Sequence, residues 1–312
     1  TTLYSNFIQA GEPEKSLNYA LANIPIAREV VARDQDNISS KRTLSNVISQ
    51  AGDAQSKLGR DDEARVNFDR AIQILEQLVQ EHPDDSRLLR SLSSKYSKIG
   101  DMLRRQGDYQ GAKDYYVSCR EIDSGLVRLD ESNLGWVCDL AISNQRVAEA
   151  CGLLGESGEA VTSFEAALQY LNQLHQAKPS SSYIERLCIS TGGRYAEFLF
   201  TEGDYQGALL QARRARDRAA VVREREGNKP YDLTLWTGLE SLVGRTLFND
   251  AIQTGGDTKK EQLEQALLAL DNTLQVLEQM ERDGISKRYN KKLYEDMLVV
   301  QKQVVQTIEG SE

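Results

Sequence analysis

The sequence predicts an all-α protein, a solenoid of antiparallel helix hairpins ending in a C-terminal capping helix. Three observations carry this. A Gly-x-x-x-x-[Ala/Ser] hexad opens at Gly11, Gly59, Gly107, Gly155 and Gly203, every 48 residues without slippage. A small residue precedes the later hexad glycines by seven positions, as Gly52, Gly100, Ala148 and Ala196, and Gly244 continues that series. Between these markers the apolar side chains fall at steps of three and four, the period of one helix face. A unit repeated at fixed length that cannot bury its own apolar face must stack on its neighbours.

The elements follow in order. Counting one step back from Gly52 reaches Tyr4, so the chain is expected to start inside a first helix. Residues 1–33 then form a partial first repeat whose second helix covers 13–33. Complete hairpins are expected at 37–81, 85–129, 133–177, 181–226 and 231–283, and the capping helix at 286–309. That makes about 13 helices in a single solenoid over 1–312.

Within a hairpin, "RLLRSLSSKYSKIGDMLRRQ" sets Leu88, Leu92, Tyr96, Ile99 and Leu103 on one face. "YQGAKDYYVSCREIDSGLVRL" does the same with Tyr109, Ala112, Tyr116, Cys119, Ile122 and Leu126. The glycine between them ends the first helix in the left-handed region. The Asp or Glu that usually follows suits the positive start of the second helix. Small residues at Ala71, Cys119, Ala167 and Ala215 let the helices close, and Phe68, Tyr116 and Phe164 fill the adjoining space. Pro83 and Pro179, beside Asp or Ser, punctuate two of the joints.

The register loosens at the end. Gly255 and Gly256 come next, Ala266 is ten residues late, and Tyr294, Met297, Leu298, Gln301, Val304 and Val305 are expected to face inward from the cap.

Composition excludes several function classes. A formal charge of −9 argues against binding nucleic acid or an anionic membrane surface. No apolar run of about 18 residues exists to span a bilayer. The opening "TTLYSNFIQAGEPEKS" lacks a basic start, a long apolar core and a Met, and reads as the interior of a longer chain. Cys119, Cys138, Cys151 and Cys188 have no CxxC spacing and only two histidines accompany them, which disfavours zinc. They read as four buried thiols in a reducing, cytoplasmic compartment.

Catalytic chemistry is also missing from the pattern. His82 and His175 have no nucleophile in a known arrangement beside them. The hexads lack the strand and lysine of a phosphate loop, and "STGGR" at 190–194 falls inside a first helix. The carboxylates stand at helical spacing from Arg and Lys, as ion-paired solvated faces do. No catalytic residue, cofactor or metal is assigned. The most basic stretch, Arg213–Glu226, is either a solvated outer face or a docking patch for an acidic partner.

The pattern resembles the tetratricopeptide repeat. Gly52, Gly59, Ala64, Phe68 and Ala71 match that family's small, turn, small, aromatic and small positions, as do Gly100, Gly107, Ala112, Tyr116 and Cys119. The 48-residue step is longer than the family's usual repeat, so each helix should run roughly 20 residues or about 30 Å. The resemblance implies a right-handed superhelix whose first helices line a concave groove.

Carried over residue by residue, Lys98, Arg146 and Arg194 stand in that groove three residues before Asp101, Glu149 and Glu197. They imply i,i+3 pairs, and also a basic rail beside an acidic rail across neighbouring helices. Arg104, Arg105 and Arg245 add positive charge, and Phe200 and Phe248 could anchor an apolar side chain. The function implied is a non-catalytic scaffold for a protein or peptide. The alternative is a regulatory arm fused to a bacterial signalling or catalytic domain, such as a kinase or caspase-like peptidase.

Overall fold

The computed structural model describes residues 2–256, 258–285 and 288–310. Thr1 and the first two residues expected in the cap, Ser286 and Lys287, lie outside them. Among the described residues there are thirteen α-helices and no strand. None of these helices is long and apolar enough to cross a membrane.

The chain forms two compact units, Thr1–Ala167 and Leu168–Glu312. The first contains α1 (Thr2–Gln9), α2 (Pro13–Arg33), α3 (Ile38–Lys57), α4 (Asp61–Glu81), α5 (Ser86–Gln106), α6 (Tyr109–Leu129) and α7 (Leu134–Leu153). Helix α8 (Ser157–Ala177) spans the boundary. The second unit continues with α9 (Ser182–Thr201), α10 (Tyr205–Arg225), α11 (Pro230–Thr254), α12 (Lys259–Arg282) and α13 (Arg288–Glu309). Odd-numbered helices up to α11 are the first helices of their hairpins and even-numbered ones the second, and α13 is the cap.

Each hairpin is antiparallel, because early residues of the first helix meet late residues of the second. Ser45 Oγ donates to the Ala71 carbonyl at 2.8 Å, and Ser93 Oγ to Asp123 Oδ1 at 2.6 Å. The turn is made as its sequence requires. Gly107 adopts φ 84°, and its N–H bonds back to the Leu103 and Arg104 carbonyls. Asp108 then caps α6 by accepting from the Gly111 N–H at 2.9 Å. The other four hexad glycines also have positive φ, between 71° and 81°.

Close approach explains the small residues. A Cβ on Gly100 would lie 2.6 Å from the Tyr116 ring, and one on Gly52 3.1 Å from Phe68. The rings of Phe68, Tyr116 and Phe164 are in turn almost wholly buried. In the second unit, a Cβ on Gly244 would meet Leu270 at 2.9 Å. Helix α11 runs 25 residues before Gly255 and Gly256 end it with positive φ. Helix α13 buries Met297 and Val304 against this unit's core, with Tyr294 and Leu298 partly buried beside them. None of the four cysteines forms a disulfide; three are buried, but Cys138 is only half-buried, which corrects the expectation for that thiol.

Candidate functional site

In the first unit, α3, α5 and α7 open a polar cleft of about 490 Å³. Asp53, Lys98, Asp101, Asp139 and Arg146 line it, and Ser93, Cys119 and Asp123 lie beneath. Its pairing departs from the i,i+3 scheme. Asp101 takes its cation from the next first helix: Arg146 Nε and a terminal nitrogen reach its two oxygens at 3.2 Å each. The buried Tyr116 hydroxyl donates to the same carboxylate at 2.7 Å. Arg90 on α5 pairs likewise with Asp139 on α7 at 2.6 Å. These two pairs bridge neighbouring first helices, while Asp53 keeps a same-helix partner in Lys57 at 3.1 Å.

Lys98 is left with no ion-pair partner among the described residues. Burial lowers its pKa; Asp53 and Asp101 oppose this and Lys57 adds to it, and the balance stays below the usual lysine value. Burial also pushes Asp53 up, but Lys98, the Tyr4 hydroxyl and Lys57 outweigh that and hold its carboxyl low. Next to Lys98, Lys95 is only 6% exposed and donates to Asn46 Oδ1 at 2.8 Å. Burial, then the neighbouring Lys98 and Arg42 charges, pull it down to about 7.

Under the cleft, burial raises the pKa of Asp123, and Asp139 adds to the rise. Burial and Asp123 together push the Cys119 thiol up to about 12. The remaining residues of this set flank the cleft. Arg105 donates to Ser56 Oγ at 2.5 Å, and Arg104 lies against the Tyr116 hydroxyl. Glu149 accepts from Gln145 at 2.7 Å.

One cluster has metal-ligand chemistry, Cys151 with Glu156 and Glu159. The Lys113 ammonium donates to both carboxylates. Burial raises Cys151 to about 12, so it is a thiol at neutral pH. A cation already sits on the acid pair, and the arrangement works as an ion-pair clasp.

In the second unit, α9, α11 and α13 enclose a larger cavity of about 930 Å³. Its floor is apolar, with Ile189, Leu235, Leu239, Leu242, Met297 and Val300. Arg194, Glu197 and Arg245 meet at its rim with Lys292 and Asp296 of α13. Arg245 bonds to Glu197 at 2.9 Å and lies over the Phe200 ring, 5.0 Å from its centroid. Phe200 and Phe248 are partly buried against the unit's own core and do not line the cavity.

The basic stretch on α10 is largely engaged. Arg213 donates to Gln265, Arg216 to Asp217 and Glu240, Arg218 to Asn172 and Arg225 to Glu185. Arg223 stacks 4.5 Å from the Trp236 ring centroid. The solvated-face reading fits this better than a docking patch. A further depression of about 490 Å³ lies on second helices α4 and α6, around Gln73 and Tyr115.

Sequence reasoning missed the cavity. Its signal was present in α11, where Leu235, Leu239 and Leu242 put apolar groups at groove spacing. Gly193 lets Leu239 pack close, since a Cβ there would meet that side chain at 2.9 Å. The contribution of α13 has no local signal, because only packing brings that helix alongside α11.

No family profile matches the chain. Among solved structures, BtubC (BKLC) from P. vanneervenii aligns over 86% of this chain and 92% of its own, with TM-score 0.65 and 18% identity. The S. pombe nuclear import adaptor Nro1, a hypoxic regulator of sterol synthesis, aligns over 95% and 90%, with TM-score 0.55 and 13% identity. Protein NCA1 of Arabidopsis thaliana is 22% identical over 159 residues, which are 51% of this chain. The match spans only 38% of NCA1's length. The structural likenesses establish a helical-repeat solenoid fold.

Proposed function

We propose that this chain is a non-catalytic interaction scaffold that receives a peptide or protein partner on its first-helix face. We read it as an extended tetratricopeptide-type repeat with a 48-residue step. First helices beginning at Ile38, Ser86, Leu134, Ser182 and Pro230 support that step. The observation that carries the function is the cavity of about 930 Å³, which lies on first helices and the cap. Adaptor work is the stated role of Nro1, a protein of the same fold.

The chemistry of the polar cleft favours binding over catalysis. Each carboxylate lining it is already committed: Asp53 to Tyr4 and Lys57, Asp101 to Arg146 and Tyr116, Asp123 to Ser93, Asp139 to Arg90. Asp53, held low by Lys98, Tyr4 and Lys57, is a weak general base. Solvated charges around a groove instead set orientation and association rate.

Capture of partners from a lysate of the source organism tests the reading. Ser94→Trp in the cleft and Arg194→Glu in the cavity rim should each lower recovery at least fivefold. Arg214→Glu, exposed on α10, should leave it unchanged. The reverse pattern would move the interface to the second helices.

A further inference from the structure

Helix α2 leaves open a face that later second helices bury. Val30, near its C-terminal end, is 47% exposed. At successive steps of 48 residues stand Leu78, Leu126, Leu174 and Val222, and each is 1% exposed. A single exposed apolar side chain is ordinary on a protein surface. A position that four copies seal and one leaves open is not. Ile26, one turn earlier, is exposed too, whereas Ile74 and Ile122 at the equivalent places are half-buried.

The hairpin geometry identifies the missing cover. Helix α2 packs on α1 and α3, as α6 packs on α5 and α7. Its later neighbour α3 is in place with 20 residues, but α1 has 8. Those 8 residues sit as a first helix does. Tyr4 packs with Leu17 and Ala20 near the start of α2, its hydroxyl donates to Asp53 at 2.7 Å, and Gly11 makes the turn at φ 71°. In an antiparallel hairpin the later part of the second helix lies against the early part of the first, as Ala71 does against Ser45. Val30 therefore stands where the head of a first helix packs. Later heads bring buried apolar groups to that place, Leu88 and Leu92 on α5 and Ile184 on α9. The difference between 8 and 20 residues is about 12 residues of helix, ~18 Å at 1.5 Å per residue.

We infer that the open end of α2 is a docking surface for a helix of the same polypeptide, about 12 residues preceding α1 in the parent protein, with apolar groups at steps of three and four. Extending α1 backwards carries it along α2 toward Val30, because the two helices run antiparallel. A helix from a separate chain would have to meet the start of α1 end to end. The docked helix joins the region upstream to the solenoid as a rigid element rather than through a loose linker.

The test compares the full parent protein with the 312-residue chain, each carrying Val30→Cys, and uses Val66→Cys on α4 as the exposed reference. Maleimide labelling is followed at each thiol by peptide mass spectrometry, so the four native cysteines are read separately. The thiol at position 30 should label about tenfold or more slowly in the parent protein than in the 312-residue chain, at a rate independent of protein concentration. The thiol at position 66 should label equally in both. In the unsubstituted parent protein, the amides of the preceding residues should exchange slowly with deuterium, which decides the matter even if a variant fails to fold. Equal labelling at position 30 in the two proteins, or freely exchanging upstream amides, would overturn the inference. Protection that grows with protein concentration would assign the surface to a second copy, and protection found only in a lysate would assign it to another protein; either result overturns it. So would a reading frame that starts within a few residues of Thr1.

Discussion

At the scale of single residues, the close contacts set clear expectations. Gly100 and Gly125 are both helical glycines, but their surroundings differ. A Cβ on Gly100 meets the Tyr116 ring at 2.6 Å, while one on Gly125 meets only the tip of Arg128 at 3.8 Å. Replacing an open helical glycine by alanine gains about 1 kcal/mol. Overpacking a core costs about 1–3 kcal/mol. Gly125→Ala should therefore raise Cm in urea, and Gly100→Ala should lower it, with the Tyr116–Asp101 bond disturbed.

Lys95 gives a pH expectation at the same scale. Its folded pKa, about 7, lies below the free lysine value of 10.5. Between those values the unfolded chain binds more protons, so this group's contribution to stability improves as pH rises from about 7 to 10.5. The full penalty is present below pH 7. Lys95→Met should raise Tm at pH 6 by several degrees and should lose most of that advantage by pH 10. The groups facing Lys95 are Lys98, Arg42 and Asn46, and none of them supplies a compensating negative charge.

At the scale of elements, the hairpin turn explains a repeated hexapeptide. "GDYQGA" occurs at 107–112 and 203–208. In both copies the Asp caps the second helix through the N–H of the hexad's second glycine, at 2.9 Å. A Cβ on that glycine would lie 2.4 Å from the capping carboxylate in Gly111 and 2.3 Å in Gly207. Asp and the second glycine thus belong together, and the hexad with Arg60 makes no such bond. Asp108→Ala should cost about 1 kcal/mol. Gly107→Ala should cost about 1–2 kcal/mol, because alanine resists φ 84°. Urea melts with unchanged m-values would measure both.

Most of the fold was legible in the sequence at this scale. Hairpin boundaries follow from local signals: glycine, cap, apolar period. The pairing of the groove charges was not. Arg146 reaches Asp101 rather than Glu149 because the partner on the facing helix depends on packing, which local spacing does not encode. The cavity was hidden for the same reason.

At the scale of the whole molecule, each compact unit carries a recess on its first helices, and the two differ in kind. One is a dense polar network; the other has an apolar floor and a mixed-charge rim. Repeats that share one backbone plan can therefore present different surfaces, since the positions that close the hairpin are not those that line the recess.

The central claim is that partners dock on the first-helix face. Site-specific photo-crosslinking in a lysate of the source organism tests it most directly, with benzoylphenylalanine placed at Ser94 and Val299 on that face, and at Val66 and Leu210 on second helices. All four positions are exposed. Discrete adducts are expected from Ser94 or Val299, competed away by excess unlabelled protein, and none from Val66 or Leu210. Competed adducts from Val66 or Leu210 alone would contradict it.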